Sequence, residues 1–332
     1  MKQLKATDYT VGWITALPAE YLAAQVFLDE DHGQPENRHP NDSNSYQLGA
    51  IGKHNVVIAV LPKGEYGTAS ASGVATNLLR SFPNVRIGLM VGIGGGVPKL
   101  PDNDIRLGDV VVSTPGNGHG GVLQYDYGKS VQEMRFQQTR SLNQPPQVLL
   151  TAMAGLTTKH ERHGNRLPEA VDEVLNKWPN LRQKYGRPPP DTDLLFKSGF
   201  VHGGGQCAAS CGRDLTNTIP RPERETCYGN DLAIHYGTIA SGNSLMKDAI
   251  LRDTLAAEQN ALCFEMEAAG LMNRFPCLAV RGICDYSDSH KSKEWQGFAA
   301  MVAAAYAKDL ICYLTPEVVQ TEQRLSSILA VN

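Results

Sequence analysis

Glu265 and Glu267 close one apolar run; Arg281 lies inside the next, which ends at Asp285. All four charges fall within the stretch from Leu262 to Asp288, LCFEMEAAGLMNRFPCLAVRGICDYSD. Acidic groups at the C-terminal ends of buried strands stand where open α/β sheets form their binding crevice, so Glu267 and Asp285 are candidates to face one ligand. A single acid reads first as a helix cap or half of an ion pair. Three charged groups at the edges of two adjacent apolar runs favour a site instead. A further candidate, Glu20, follows the apolar run Thr10 to Ala16, at the junction with a helix whose first residue is Pro18. The helix dipole alone favours a carboxylate there, and a strand-to-helix junction is also where such folds place working acids. Both roles stay open for Glu20.

The elements that must hold these groups alternate between strand and helix. Thr10 to Ala16 reads as a buried strand and the helix after it runs to about Leu28. Ser45 to Ile51 and Asn55 to Pro62 read as strands about a Gly52-Lys53-His54 turn, and Gly67 to Phe82 as a helix of small residues. The strand Arg86 to Val91 opens onto Gly92-Ile93-Gly94-Gly95-Gly96, read as a loop that lets backbone approach a ligand closely. It is not a dinucleotide fingerprint, because Val97-Pro98 and Pro101 follow where a helix should begin. Leu107 to Ser113 and Ala233 to Ser241 continue the sheet, the latter ending in Gly242-Asn243. The last helix, Lys293 to Leu314, carries Trp295, Phe298, Val302, Tyr306 and Leu310 on one face, a packing stripe. Residues 117–226 are rich in polar residues, Pro and Gly, with one helix signal from Pro168 to Trp178, and read as a long insertion. The expected organisation is one domain over 1–314 containing that insertion, then a polar tail or linker at 315–332.

Composition narrows the function classes. The 332 residues are 42% hydrophobic and 20% charged, the balance of an ordinary globular chain. A net charge of -3 offers no electrostatic case for nucleic acid or an anionic membrane. No apolar run approaches the ~20 residues of a membrane span and the opening residues lack a signal core, so a cytoplasmic protein is expected. Of seven cysteines, Cys263, Cys277, Cys284 and Cys312 sit in apolar runs as small core residues, against a disulfide framework. Cys207 and Cys211, with Cys227 and His202 nearby, raise the question of zinc. No second closely spaced pair completes a tetrahedral set, so no metal is expected.

In chain order stand Ala16-x-x-x-Glu20, the glycines Gly92 to Gly96, LGDVVVS, IASGN, FEMEAAG and VRGICDYSD. This series resembles the nucleoside phosphorylase and nucleosidase superfamily, most closely the 5′-methylthioadenosine/S-adenosylhomocysteine nucleosidase branch, over most of the chain outside the insertion. HYGTIASGN, FEMEAAGLMN and RGICDYSDSHK look especially like the nucleosidase-like N-terminal domains of fungal NACHT-type receptors, which resemble ATP-cleaving nucleosidases. The resemblance implies an α/β fold, a three-layer α/β/α sandwich with a mixed, twisted central sheet, assembled as a homo-oligomer. It implies hydrolysis of the N-glycosidic bond of an adenine nucleoside or nucleotide, of the adenosine, methylthioadenosine or ATP class, without metal or organic cofactor. By that resemblance Asp285 donates a proton to N7 of the base, a task suited to a raised pKa in a partly dry pocket. Glu267 accepts from the ribose 2′ and 3′ hydroxyls and Met266 packs on the sugar. Arg281 and Glu20 hold and activate the attacking water. Ile93, Gly94 and Gly95 lie beneath base and sugar, and Leu245 and Met246 wall the base. Two departures stand out: Asn243 occupies a position usually Asp, and Cys284 one where Ser commonly orients the catalytic aspartate.

Residue types bear on the nucleophile. Phosphate needs fixed cations, yet Val11 to Ala24 holds no Lys or Arg and Glu20 repels an anion, so water is favoured over phosphorolysis. Arg281 is the counterargument. Arg213, Arg221, Arg224, Lys291 and Lys293 read either as a grip on a 5′ phosphate chain or as solvated charges. A rival of another class is a nucleotide-sensing or assembly module that keeps the pocket without turnover.

Overall fold

The computed structural model describes residues 4–116, 118–133, 137–204, 207, 211, 215–224 and 232–331. In chain order the elements are β1 (Val11–Thr15), α1 (Pro18–Val26), β2 (Glu30–Gly33), β3 (Ser45–Ile51), β4 (His54–Val60), α2 (Thr68–Ser81) and β5 (Ile87–Gly96). Then come β6 (Val110–Ser113), β7 (Val122–Gln124), the small hairpin β8 (Gly128–Lys129) and β9 (Gln137–Gln138), α3 (Gln147–His163), α4 (Leu167–Lys177) and α5 (Arg182–Tyr185). The chain ends with β10 (Ile234–Ser241), α6 (Ala249–Gln259), β11 (Ala261–Glu265), β12 (Cys277–Asp285), α7 (Gln296–Tyr313), α8 (Pro316–Thr321) and α9 (Leu325–Val331).

One mixed sheet runs in the order β11-β10-β6-β12-β5-β1-β4-β3-β2, with β7 beside β10. Its central strands are apolar throughout; all of β1 and β12 is buried, as a strand covered on both faces requires. One core, with α1, α3, α4 and α7, covers one face; a second, with α2 and the start of α9, covers the other. This is the three-layer sandwich expected, with one addition. β5 runs parallel to β12 and then turns its last glycines antiparallel onto β11, pairing Gly95 with Phe264 and Gly96 with Cys263. The strands β5, β12, β6, β10 and β11 thereby close on one another. Closure draws the C-terminal ends of β5, β11 and β12, which carry the candidate residues, to one place.

Four expectations are corrected. Gly92 to Gly96 is the second half of a ten-residue strand, not a loop; without side chains these residues can be sandwiched between β11 and β12. The stretch 117–226 contains α3 besides the expected helix. Val148, Leu149, Ala152, Met153 and Leu156 form a helical stripe sunk in the main core, so the stretch supplies part of that core. α7 is buried on nearly its whole circumference from Gly297 to Ala307, not on one face. Its alanines let it lie close to the sheet, where a side chain at Gly282 would collide with the Ala299 carbonyl. Residues 315–331 are no free linker: α8 and α9 dock, with Val319 and Leu325 buried and the Leu325 N–H donating to the Val85 carbonyl at 2.9 Å. Among the described residues no single helix is long and apolar enough to cross a membrane.

Candidate active site

Glu20 fills the structural role left open for it and also faces a neighbouring strand. Its Oε2 accepts from the N–H groups of Ala16 and Leu17 at 2.7 and 2.9 Å, tying the first turn of α1 to the end of β1. Its Oε1 accepts from the Ile93 N–H at 2.9 Å and faces the neighbouring strand. There Gly92 lets two side chains close on the strand. A Cβ on Gly92 would collide with Glu20 Oε1 and stand 2.5 Å from Arg281 Nη1. A carboxylate oxygen and a guanidinium nitrogen therefore converge over the middle of β5.

Arg281 is completely buried, directly across β12 from Gly92. Its Nη2 pairs with Glu265, and Glu267 Oε2 lies 3.7 Å away. Among the described residues its Nε and Nη1 have no hydrogen-bond partner, so Nη1 reaches Gly92 with its protons unused. Glu265 is the residue whose part sequence reasoning missed. It accepts from the N–H groups of Glu267 and Ala268, all at 3.1 Å, which fixes the turn presenting Glu267. Its spacing from Glu267 was the available signal, but only the fold shows which acid takes the arginine. Glu267 in turn accepts from the Gly67 N–H at 3.3 Å.

Three acids around one cation leave a surplus of negative charge in a buried place. Burial raises Glu20 above the ordinary carboxylate range, against the lowering effect of Arg281 and three backbone donors. Burial, and next the charge of Glu265, push Glu267 up to about 7, against the opposing pull of Arg281.

Asp285 lies farther along the same strands, where a Cβ on Gly95 would stand 2.6 Å from its Oδ1. A bulge in β12 between Ile283 and Asp285 aims it there. Three donors converge on it: the Ser287 N–H at 2.9 Å on Oδ1, and the Cys284 thiol at 3.1 Å and the Lys291 ammonium at 2.7 Å on Oδ2. Cys284 thus holds the aspartate directly. Asn243, the other departure, accepts from the N–H and hydroxyl of Thr68, both at 3.0 Å, and its own N–H donates to Asp126 at 2.7 Å. It ties the end of β10 to the start of α2.

Asp285 faces a cavity of about 600 Å³, lined also by Leu107, Phe196, His202, His290, Lys291 and Lys293. Glu20, Arg281 and Glu267 do not line that cavity; they form the buried cluster around Gly92, and Gly94, against the Arg281 stem, and Gly95 lie between the two. Ile93 contributes its N–H. Met266 is half-buried. Met246 packs with Val97, Tyr125 and Phe264, whereas Leu245, expected beside it as apolar wall, is 50% exposed.

Of the cations read either as a phosphate grip or as solvated charges, most of those described are engaged by the protein itself. Arg224 bridges both oxygens of Asp109, at 2.7 and 2.6 Å. Arg221 pairs with Asp193 at 2.9 Å and donates to the Tyr286 hydroxyl at 2.7 Å. These arginines brace the outer side of the β6 and β12 ends, because carboxylates already sit within their reach. Arg213 and Cys227 lie outside the described residues. Lys291 is engaged by Asp285, which leaves Lys293, exposed on the cavity wall.

The model of the phosphorylase superfamily matches residues 10–314. A nucleotide-binding leucine-rich repeat (NLR)-like protein of Hyaloscypha variabilis is 45% identical over 95% of this chain and 30% of its own length. The ATP nucleosidase Cap17 of Escherichia coli is 24% identical over 90% of this chain and 50% of its own. The chain thus spans half or less of the length of these relatives. Among solved structures, a putative 5′-methylthioadenosine/S-adenosylhomocysteine nucleosidase from Borrelia burgdorferi bound to adenine shares the fold. Its TM-score is 0.59 at 14% identity, over 92% of this chain and all of that one.

Proposed function

The chain belongs to the phosphorylase superfamily, and within it we propose that this protein hydrolyses the N-glycosidic bond of an adenine nucleoside or nucleotide, releasing adenine. The observation that carries this reading is the convergence of Glu20 Oε1 and Arg281 Nη1 beside Gly92, with Nη1 left without a hydrogen-bond partner among the described residues. A water bonded to both would have one group to take its proton and one to orient it. Three carboxylates beside a single arginine make the place hostile to phosphate and suited to water.

In the proposed reaction the C1′–N9 bond breaks with its electron pair passing to the purine. Asp285 relays to N7 a proton that it draws from the Lys291 ammonium, leaving Lys291 neutral until solvent reprotonates it, and so makes adenine a competent leaving group. The ribosyl centre that remains carries positive character, which Glu20, Glu265 and Glu267 stabilise electrostatically. Glu267 accepts from the 2′ and 3′ hydroxyls. Water held by Glu20 and Arg281 attacks C1′, one of its protons passing to Glu20 Oε1. The proposed catalytic unit is the single domain over residues 1–314. Similarity to an ATP nucleosidase supports extending the substrate class to nucleotides.

Incubating the protein with adenosine, methylthioadenosine and ATP, each with and without phosphate, and chromatographing for adenine tests this. Adenine release without phosphate is expected, and Asp285→Asn and Glu20→Gln should each lower kcat by ~10²–10⁴-fold. Turnover that depends on phosphate would replace hydrolysis by phosphorolysis. A second reading, a nucleotide-sensing module without turnover, is favoured by the similarity to an NLR-like protein; nucleotide binding with no adenine from any substrate would select it.

A further inference from the structure

The far wall of the cavity is built from groups that the proposed reaction does not use. Cys207 and Cys211 are joined by a backbone hydrogen bond, the Cys211 N–H donating to the Cys207 carbonyl at 2.8 Å, which brings the two cysteines together; Cys207 lines the cavity just outside the tighter group of the other three ligands. His202 Nδ1 is 3.2 Å from Cys211 Sγ. The His202 N–H donates to Ser289 Oγ at 2.9 Å, which joins this segment to the chain beyond β12 and brings in His290. Ligand atoms of His202, Cys211 and His290 all lie within 4.8 Å of one another.

His290 is 8% exposed, with its ring stacked 4.0 Å from that of Phe196 and 5.2 Å from that of Phe200. Among the described residues neither of its ring nitrogens has a hydrogen-bond partner; Asp288 Oδ2 stands 3.7 Å from Nδ1. A buried imidazole with both nitrogens unsatisfied is costly, and aromatic faces do not offset that loss.

We propose that His202, Cys207, Cys211 and His290 form a binding site for a divalent metal ion of the zinc class. Two sulfurs and two imidazole nitrogens make the donor set of a tetrahedral zinc centre, and thiolate ligands disfavour magnesium or calcium. On binding, each thiol releases its proton to solvent as its sulfur bonds the ion, leaving a centre without net charge. The first three ligands lie close in sequence; the fourth arrives only through the fold. Because His290 precedes Lys291, the ion pins the segment that carries the Asp285–Lys291 pair to the opposite wall of the cavity.

Cobalt(II) titration of the whole, reduced, chelator-treated chain tests the site. One equivalent should bind with a thiolate-to-cobalt charge-transfer band and tetrahedral d–d absorption, and zinc should displace it. Cys211→Ser should abolish the charge-transfer band or halve it, and His290→Ala should weaken cobalt binding by at least ~10-fold. Asp285→Asn should leave the spectrum intact, which separates this site from the proposed reaction. Absence of any tetrahedral thiolate spectrum in the unmodified chain overturns the proposal. So does a metal-free Cys207–Cys211 disulfide in protein purified without reductant.

Discussion

Glu267 is held up to about 7 by burial and by Glu265, and its two ionisation states pull stability and activity in opposite directions. Its folded pKa lies above the ordinary 4.5, so its contribution to stability is complete below that value and is lost as pH rises through about 7. Thermal unfolding between pH 5 and 8 should therefore show Tm falling in the unmodified protein and a flatter slope in Glu267→Gln. In the proposed reaction substrate recognition runs the other way, because only the carboxylate would accept from both ribose hydroxyls. The preference for ribo- over 2′-deoxyribo-substrates, measured as a ratio of kcat/KM, should rise through about pH 7 and become flat in the same variant. The sequence makes Glu20, Glu267, Arg281 and Asp285 legible as charges at strand ends. That Glu265 takes the Arg281 ion pair, and that Lys291 meets Asp285, depends on side-chain positions no local pattern encodes.

β5 shows how an element can be read correctly in place and wrongly in kind. Its glycines mark close backbone approach, as the sequence suggests, but what approaches is β11 on one side and β12 on the other. A glycine-rich segment has weak strand propensity, and long-range pairing overrides that preference here. Gly92 also lets Glu20 and Arg281 converge on the strand. Gly92→Ala should lower kcat by ~10²-fold or more while circular dichroism stays unchanged, since the added methyl displaces the two groups proposed to hold the water. Wild-type turnover in that variant would remove their convergence from the mechanism. α3 was within reach of sequence reading, because its apolar residues recur at helical spacing; Pro145 and Pro146 and polar surroundings masked it.

At the scale of the molecule, closure of the sheet sets the Gly92 cluster and Asp285 along the same strands, and the charges around the cavity at Asp285 are where a substrate's 5′ phosphates would be tested. Arg221 and Arg224 are satisfied by carboxylates, so Lys293 is the described cation of that set left facing the cavity without such a partner. Lys293→Ala should raise KM for ATP several-fold and leave that for adenosine unchanged; equal effects on both would dismiss a 5′ phosphate contact. The C-terminal segment belongs to the fold as well. Leu325, 3% exposed, fills the second core, and Leu325→Ala should cost about 2–5 kcal/mol in denaturant unfolding. By itself the sequence determined the central strands and the helices α1, α2, α4 and α7, the superfamily they resemble and four charges in or beside strand ends, because periodicity and local composition encode burial and chain reversal. Only the tertiary structure decided which charges neutralise one another and which remain to act. Pairing between side chains distant in sequence follows from strand order and register, which no segment specifies alone.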